Sequence, residues 1–467
     1  MLLLLIAIVS KLTLSYCASV DYGQAPLLLE YDEKSFIDSI YGELVESEES
    51  KKHKEILLRE GVKQFKYPDT GYDVTQLESM SFQETVNFMQ SIDTQQMMRR
   101  KSHEAYMKYQ SKLKLPHPDD TSDITDDNPN LFGGIVTFAR APHFDCFNPI
   151  NDDKTIDIAI VGSPFDTGTS FRPGARMSPE AIRSASRRLG LGLTPVRGNG
   201  PDSKLSKIDP YKSNFTIIDC GDVPMTPFDN RIALNQLYRG ERSIHKHKSK
   251  KNSKKIPKII TLGGDHTITL MALKSAYEKY GEIAVLHFDS HIDTWDPKVL
   301  GGGISDYMSL NHGTFLHYAA EQGYLAKGSC SHVGLRAPYI NANYDQDHDE
   351  AFCGFKKFSA RDIDNFGIKE LSKRLKAIVG DKPVYITVDI DVLDPSYAPG
   401  TGTMEIGGLS TRELLTLLDS LEGINLIGGD IVEVSPPYDS NSEITSLAAT
   451  SVVDSLLGLM VVTEVEI

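Results

Sequence analysis

The sequence predicts an α/β fold: three layers, α/β/α, around a mostly parallel central sheet over residues 130–467, preceded by a leader and an N-terminal extension. Two observations predict it. Short apolar, β-rich runs recur at Ile259-Ile260-Thr261-Leu262, Ile283-Ala284-Val285-Leu286-His287-Phe288 and Val384-Tyr385-Ile386-Thr387-Val388, separated by helix-length segments. Unbroken apolar runs of this length suit strands covered on both faces, as parallel strands are. Each run is also followed at once by a polar string, and open α/β sheets place ligands beyond the carboxyl ends of their strands.

The elements follow in chain order. Residues 1–9 are apolar, Ser10-Lys11 interrupts, and small residues follow at Cys17-Ala18-Ser19. That run is too short for a membrane span and reads as a secretory signal over residues 1–19, although a basic start is missing. Residues 20–129 change character, with acidic stretches around Phe82, Val86 and Met89 at helical spacing, and read as a helical or partly disordered extension. The acidic, proline-containing stretch 116–129 is the expected linker. Within the main domain, Ser178-Pro179-Glu180 opens a helix running to Leu189, with Ser178 as its cap and Pro179 at the first helical position.

Composition narrows the function. The chain has 467 residues, 40% of them hydrophobic, and a formal net charge of −15. That length carries one large core plus an appendage, and that charge argues against nucleic acid as the main partner and for a small cationic one. The lysine-rich island at 246–255, with His245 and His247 at its start, reads as a solvated surface loop. Cys220, ending the run that begins at Phe215, reads as a small buried hydrophobe; no pairing among the five cysteines is assigned. Asn214-Phe215-Thr216 is a glycosylation sequon, relevant only if the chain is exported.

The polar strings carry the chemistry. They read Gly263-Gly264-Asp265-His266, Asp289-Ser290-His291-Ile292-Asp293 and Asp389-Ile390-Asp391, with Asp394-Pro395 closing the last. Polar residues at i, i+2 and i+4 face one side of an extended backbone. His266, Asp289, His291, Asp293, Asp389 and Asp391 can therefore converge. Four carboxylates and two imidazoles without a thiolate suit hard divalent ions such as Mn²⁺, and two such ions would lower the pKa of a shared water toward neutrality. Hydrolysis is the chemistry that arrangement suits. A histidine at a strand end, such as His287 or His332, is by contrast read as structural.

The same strings, with Gly134-Ile135-Val136-Thr137-Phe138-Ala139-Arg140-Ala141-Pro142, Gly162-Ser163-Pro164-Phe165-Asp166, Ala398-Pro399-Gly400-Thr401-Gly402-Thr403 and Val432-Glu433-Val434-Ser435-Pro436, resemble the ureohydrolase family of arginases and agmatinases over about 335 residues. The stretch His312-Gly313-Thr314-Phe315 resembles the agmatinase-like branch. The resemblance implies an eight-stranded sheet and a trimeric or hexameric homo-oligomer. It implies one Mn²⁺ on His266, Asp289, Asp293 and Asp389, and a second on His291, Asp289, Asp389 and Asp391. It implies His312 as a proton shuttle, Glu433 as the acid gripping a guanidinium group, and Asp293 also accepting a proton. Ser290 and Met404 depart from the usual alanine and proline, and neither replaces a ligand.

The expected reaction is hydrolysis of a small cationic guanidino compound, agmatine first, to urea and an amine, here putrescine. A different tail, as in guanidinobutyrate, arginine or an N-formimidoyl amino acid, is the alternative, and a catalytically silent binding protein the remote one. The expected location is the secretory pathway, extracellular or vacuolar, with cytoplasm or mitochondrion as the alternative if the leader is not a signal.

Overall fold

Eight parallel strands form one sheet in the computed structural model, which describes residues 135–190, 197–198, 200, 202–301 and 309–463. The expected leader, the extension and residues 302–308 of the glycine-rich loop lie outside the described residues. The strands are β1 (Ile158–Gly162), β2 (Ile217–Asp222), β3 (Lys258–Leu262), β4 (Ala284–Phe288), β5 (Cys330–Leu335), β6 (Phe355–Ser359), β7 (Val384–Asp389) and β8 (Leu426–Val432). Their spatial order is β2-β1-β3-β8-β7-β4-β5-β6.

Alternation along each strand divides the core. Ile158 and Ile160 of β1 join one apolar cluster, while Ala159 and Val161 join another on the opposite face. Helices α1 (Ser178–Ala185), α6 (Asp362–Val379), α7 (Thr411–Asp419) and α8 (Ile444–Thr463) cover the first face. Helices α2 (Asn230–Ile244), α3 (Thr269–Tyr280) and α4 (Phe315–Glu321) cover the second, and the short α5 (Ala342–Asp347) precedes β6. The expected three layers are thus present. Each fully buried Ile, Leu or Val contributes roughly 1.5–3 kcal/mol, so the central strands anchor everything attached to their ends.

Helix α8 is long and apolar enough by composition to cross a membrane, but it packs against α1, α7, β3 and β8 and is largely buried. A core helix enclosed on all sides is apolar all round for that reason.

Three local expectations change. Helix α1 starts at Ser178 itself, because a 3₁₀ turn, Ala175–Met177, runs straight into it. The Ser178 hydroxyl therefore caps nothing, and the cap position belongs to Met177. Cys220 is not a lone hydrophobe: it forms a disulfide with Cys146, tying the segment before β1 to β2. Such a bond persists in oxidising compartments. Finally, the lysine-rich loop is folded: His245, His247, Ser249 and Asn252 are buried, and Asp157 accepts hydrogen bonds from Ser249 Oγ and the amides of Lys250 and Lys251. Its lysines 246, 248, 250, 251, 254 and 255 are exposed, as expected.

Candidate metal centre

The register of the sheet brings the polar strings together. Leu262 pairs with Ile431, Ile431 with Val388, and Val388 with Phe288, so the four central strands β3, β8, β7 and β4 end at one level. The next residues in each chain are the ones that carry chemistry. Asp289, His291 and Asp293 follow β4, Asp389 ends β7 with Asp391 beyond it, Glu433 follows β8, and His266 stands four residues past β3.

Close packing at the β3 end demands glycine. A Cβ on Gly264, whose φ is +99°, would lie 2.5 Å from the Ser163 carbonyl oxygen, and one on Gly263 would lie 2.2 Å from Ser178 Oγ. Asp265 then accepts from the Thr267 amide and caps the 3₁₀ turn His266–Ile268. The His266 ring stacks on Phe315 at 4.4 Å. Its Nε2–H donates to Thr387 Oγ1, 2.7 Å away, whose hydroxyl in turn donates to Asp430. That chain leaves a lone pair on Nδ1, the nitrogen facing the carboxylates. Asp289 and Asp389 each accept the amide of the residue two further on, at 2.6 and 2.8 Å, which fixes both carboxylates.

Two adjoining clusters result. His266 Nδ1 lies 3.1 Å from Asp289 Oδ2, 3.1 Å from Asp293 Oδ2 and 3.4 Å from Asp389 Oδ2. His291 Nδ1 lies 3.3 Å from Asp289 Oδ1 and 3.1 Å from Asp391 Oδ2. Asp289 faces both histidines with different oxygens, as a bridging ligand would. Buried His266 Nδ1 and Asp289 Oδ2 have no hydrogen-bond partner. Leaving such atoms bare is costly, and a cation among them removes the cost, so the residues fit divalent metal. Burial and the neighbouring Asp289 charge push Asp293 up to about 6, and burial with Asp391 and Asp289 pushes Asp389 well above the usual carboxylate range. A cluster that repels its own charge this way is one that positive charge stabilises. Asp293 and Glu433 also hold left-handed backbone, φ 49° and 60°, a strained conformation for such residues.

Glu433 is fully buried. Its Oε1 accepts from the His266 amide at 2.9 Å and from His312 Nδ1 at 3.0 Å, while Oε2 has no partner. The far side of His312 meets Ser170, whose amide lies 3.1 Å and whose Oγ lies 2.8 Å from Nε2. Since the amide hydrogen points at Nε2, that nitrogen carries a lone pair and the proton sits on Nδ1. Burial opposes a second proton, but the Glu433 carboxylate raises the ring's affinity for it to about 9. Taking it up requires the Ser170 amide to turn away.

The six expected metal ligands, His312 and Glu433 are thus brought together. Asp394 is not among them: it accepts from Ser396 and from the Gly407 amide and shapes an exposed turn. Ser290 is closer to the centre than its replacement of alanine suggested, since its hydroxyl donates to Asp391 Oδ1 at 2.7 Å. The sequence did not point to Thr387 and Asp430 behind His266 or to Ser170 beside His312, and it offered His287 and His332 only as structural histidines, not as a pair. A buried aspartate inside the apolar strand β8 was one available signal; Ser170 gave none.

An α/β sheet whose central strand ends gather two His/Asp clusters beside an unpartnered buried glutamate suits a metal-dependent hydrolase. The arginase family model matches residues 156–458, and the chain belongs to that family, on its agmatinase-like side. It is 44% identical to "Putative agmatinase 1" of Schizosaccharomyces pombe over 346 residues, 72% of this chain and 84% of that one. It is 34% identical to the agmatinase of Chromobacterium violaceum, over 71% of this chain and 90% of that one. Among solved structures, proclavaminate amidino hydrolase from Streptomyces clavuligerus superposes with a TM-score of 0.60 at 31% identity, covering 72% of this chain and 99% of that chain.

Proposed function

We propose that this enzyme hydrolyses agmatine to urea and putrescine, with two Mn²⁺ ions held by the His/Asp clusters. The observation that carries the reading is Glu433 Oε2, a buried carboxylate oxygen without a partner next to those clusters. A guanidinium group offers parallel N–H donors to such an acid. His266, Asp289, Asp293 and Asp389 would hold one ion, and His291, Asp289, Asp389 and Asp391 the other. When bound, the ions supply Lewis acidity and bring a water's pKa near neutral.

The chain's own residues do the rest. Glu433 orients the guanidinium carbon toward the clusters, Asp293 accepts the proton released as water adds, and the C–N bond to the tail breaks as the amine nitrogen gains a proton. Water and the guanidinium cation are consumed; urea and an ammonium product leave, so atoms and charge balance. His312, held between Glu433 and Ser170, exchanges the proton with solvent.

Agmatine is preferred to substrates with a carboxylate because Arg336, a cation beside the clusters, is already engaged. Arg336 donates to the backbone oxygens of Gly334, Asp391, Val392, Leu393 and Glu405. A half-exposed acid, Glu405, lies 3.8 Å from His291 Nε2, which suits a cationic tail. Urea release by the Mn²⁺-loaded enzyme from agmatine, arginine and guanidinobutyrate tests this. The expected kcat/KM for agmatine exceeds that for arginine by about a hundredfold, roughly 2.7 kcal/mol. Comparable values for the two refute the substrate, and a clear preference for guanidinobutyrate replaces the tail and keeps the chemistry.

A further inference from the structure

Four buried residues behind the ligands have no part in that reading. His287 Nδ1 lies 2.8 Å from His332 Nδ1, and His332 Nε2 lies 2.9 Å from Asp349 Oδ1. Thr294 Oγ1 donates to the same Asp349 oxygen at 2.9 Å. All four side chains belong to fully buried residues. Asp349 comes from the turn His348–Cys353, well removed in sequence from the ligand strings, yet it reaches them by two arms. One arm ends at His287 Nε2, 3.0 Å from Asp289 Oδ2; the other is Thr294, which adjoins Asp293 in the chain.

A buried carboxylate is costly unless it is well paired; Lys357 Nζ, 3.7 Å from Oδ2, supplies a charge on one side, and Oδ1 is left to direct the two inward arms. The His332 arm sets the proton directions. Asp349 accepts the Nε2–H of His332, which leaves a lone pair on His332 Nδ1. With one proton on each ring, His287 donates from its own Nδ1 and its Nε2 carries a lone pair toward Asp289. Neither His287 Nε2 nor Asp289 Oδ2 has a hydrogen-bond partner. Two lone-pair atoms 3.0 Å apart with no hydrogen between them are stabilised by a shared cation. Ligating atoms of His266, His287, Asp289 and Asp293 all lie within 4.8 Å of one another.

We propose that Asp349 is a positioning residue for the metal centre, fixing the direction of the His332–His287 pair so that His287 Nε2 is turned toward the site that His266, Asp289 and Asp293 would form, and fixing Thr294 beside Asp293. The inference rests on reading the His/Asp clusters as a metal centre. Outer residues of this kind change metal affinity by about 10–100-fold.

The test measures Mn²⁺ affinity of the full chain by chelator competition, alongside thermal melting and the steady-state constants. Asp349→Ala is expected to lose at least about tenfold in Mn²⁺ affinity, with KM at saturating Mn²⁺ nearly unchanged, whereas Asp349→Asn keeps the accepting oxygen and most of the affinity. An Asp349→Ala protein that melts and binds Mn²⁺ like the unaltered chain overturns the proposal. Should that variant not fold, His332→Gln and Thr294→Val decide: each is expected to weaken Mn²⁺ binding, and wild-type affinity in both overturns it. An unaltered chain that binds no Mn²⁺ overturns instead the metal-centre reading beneath it.

Discussion

Replacing Glu433 by Gln isolates the guanidinium grip from the metal ligands. The two side chains have nearly the same shape, and Gln keeps an oxygen where Oε1 now accepts from the His266 amide and His312 Nδ1. What changes is the other position. The bare Oε2 becomes an NH₂ group, a donor facing the donors of the substrate, in a place fully shielded from water. A hydrogen bond to a charged group contributes about 1.5–3 kcal/mol; the one to Oε2 is lost with its charge, and a buried substrate N–H left facing a donor costs roughly 1–3 kcal/mol more. Some of that is offset because the free enzyme no longer desolvates an anion. A net loss of about 4 kcal/mol in transition-state binding is expected, on the order of a thousandfold in kcat/KM. The assay is urea release at saturating Mn²⁺, with metal content and melting temperature measured on the same sample. A fall of less than about tenfold refutes the grip. A parallel loss of metal would show that Glu433 serves the ions and not the substrate.

Two further predictions concern metal retention and pH. Because Asp289 faces both histidines and Asp389 is proposed to bridge, Asp289→Ala or Asp389→Ala should retain less Mn²⁺ after dialysis than His266→Ala or His291→Ala, as elemental analysis would read; equal losses contradict the bridging assignment. Burial depresses His245 to about 3 from its ordinary 6.5, so the folded ring stays neutral where the unfolded one takes a proton. Its contribution is therefore intact above about pH 6.5 and is lost as pH falls toward 3, at about 1.4 kcal/mol per pH unit, or roughly 2 kcal/mol by pH 5. Urea melts of the unaltered chain and His245→Gln at pH 7 and 5 should show the smaller acid loss in the variant, and equal losses would refute the assignment.

The parts of the fold that were legible in the sequence share a physical cause. Strands β3, β4 and β7 are buried on both faces, so their composition is mostly apolar and their ends are marked by abrupt polarity. The six clustered ligands fall within a few residues of those ends, where the backbone direction is set by the sheet. The Cys146–Cys220 pairing was illegible because it depends on where the segment before β1 lies against β2, a contact across 74 residues. Ser178 was misplaced as a cap because nothing in Ala175-Arg176-Met177 announces a 3₁₀ turn leading into the helix.

The outer residues of the metal centre show where such reading ends. His287 precedes Asp289 by two positions, so the alternation that groups Asp289 with His291 places His287 on the same side of the strand. The sequence therefore held its location. Its use depends on the partner of its far nitrogen, and that partner, His332, stands 45 residues away on β5. The proton direction at His332 depends in turn on Asp349, brought in by the turn before β6. Local spacing can place a donor atom at a site, whereas the assignment of its proton needs every member of the chain behind it. A histidine two residues before a clustered aspartate is accordingly neither structural nor ligating by its spacing alone; the partner of its far nitrogen bears on which it is.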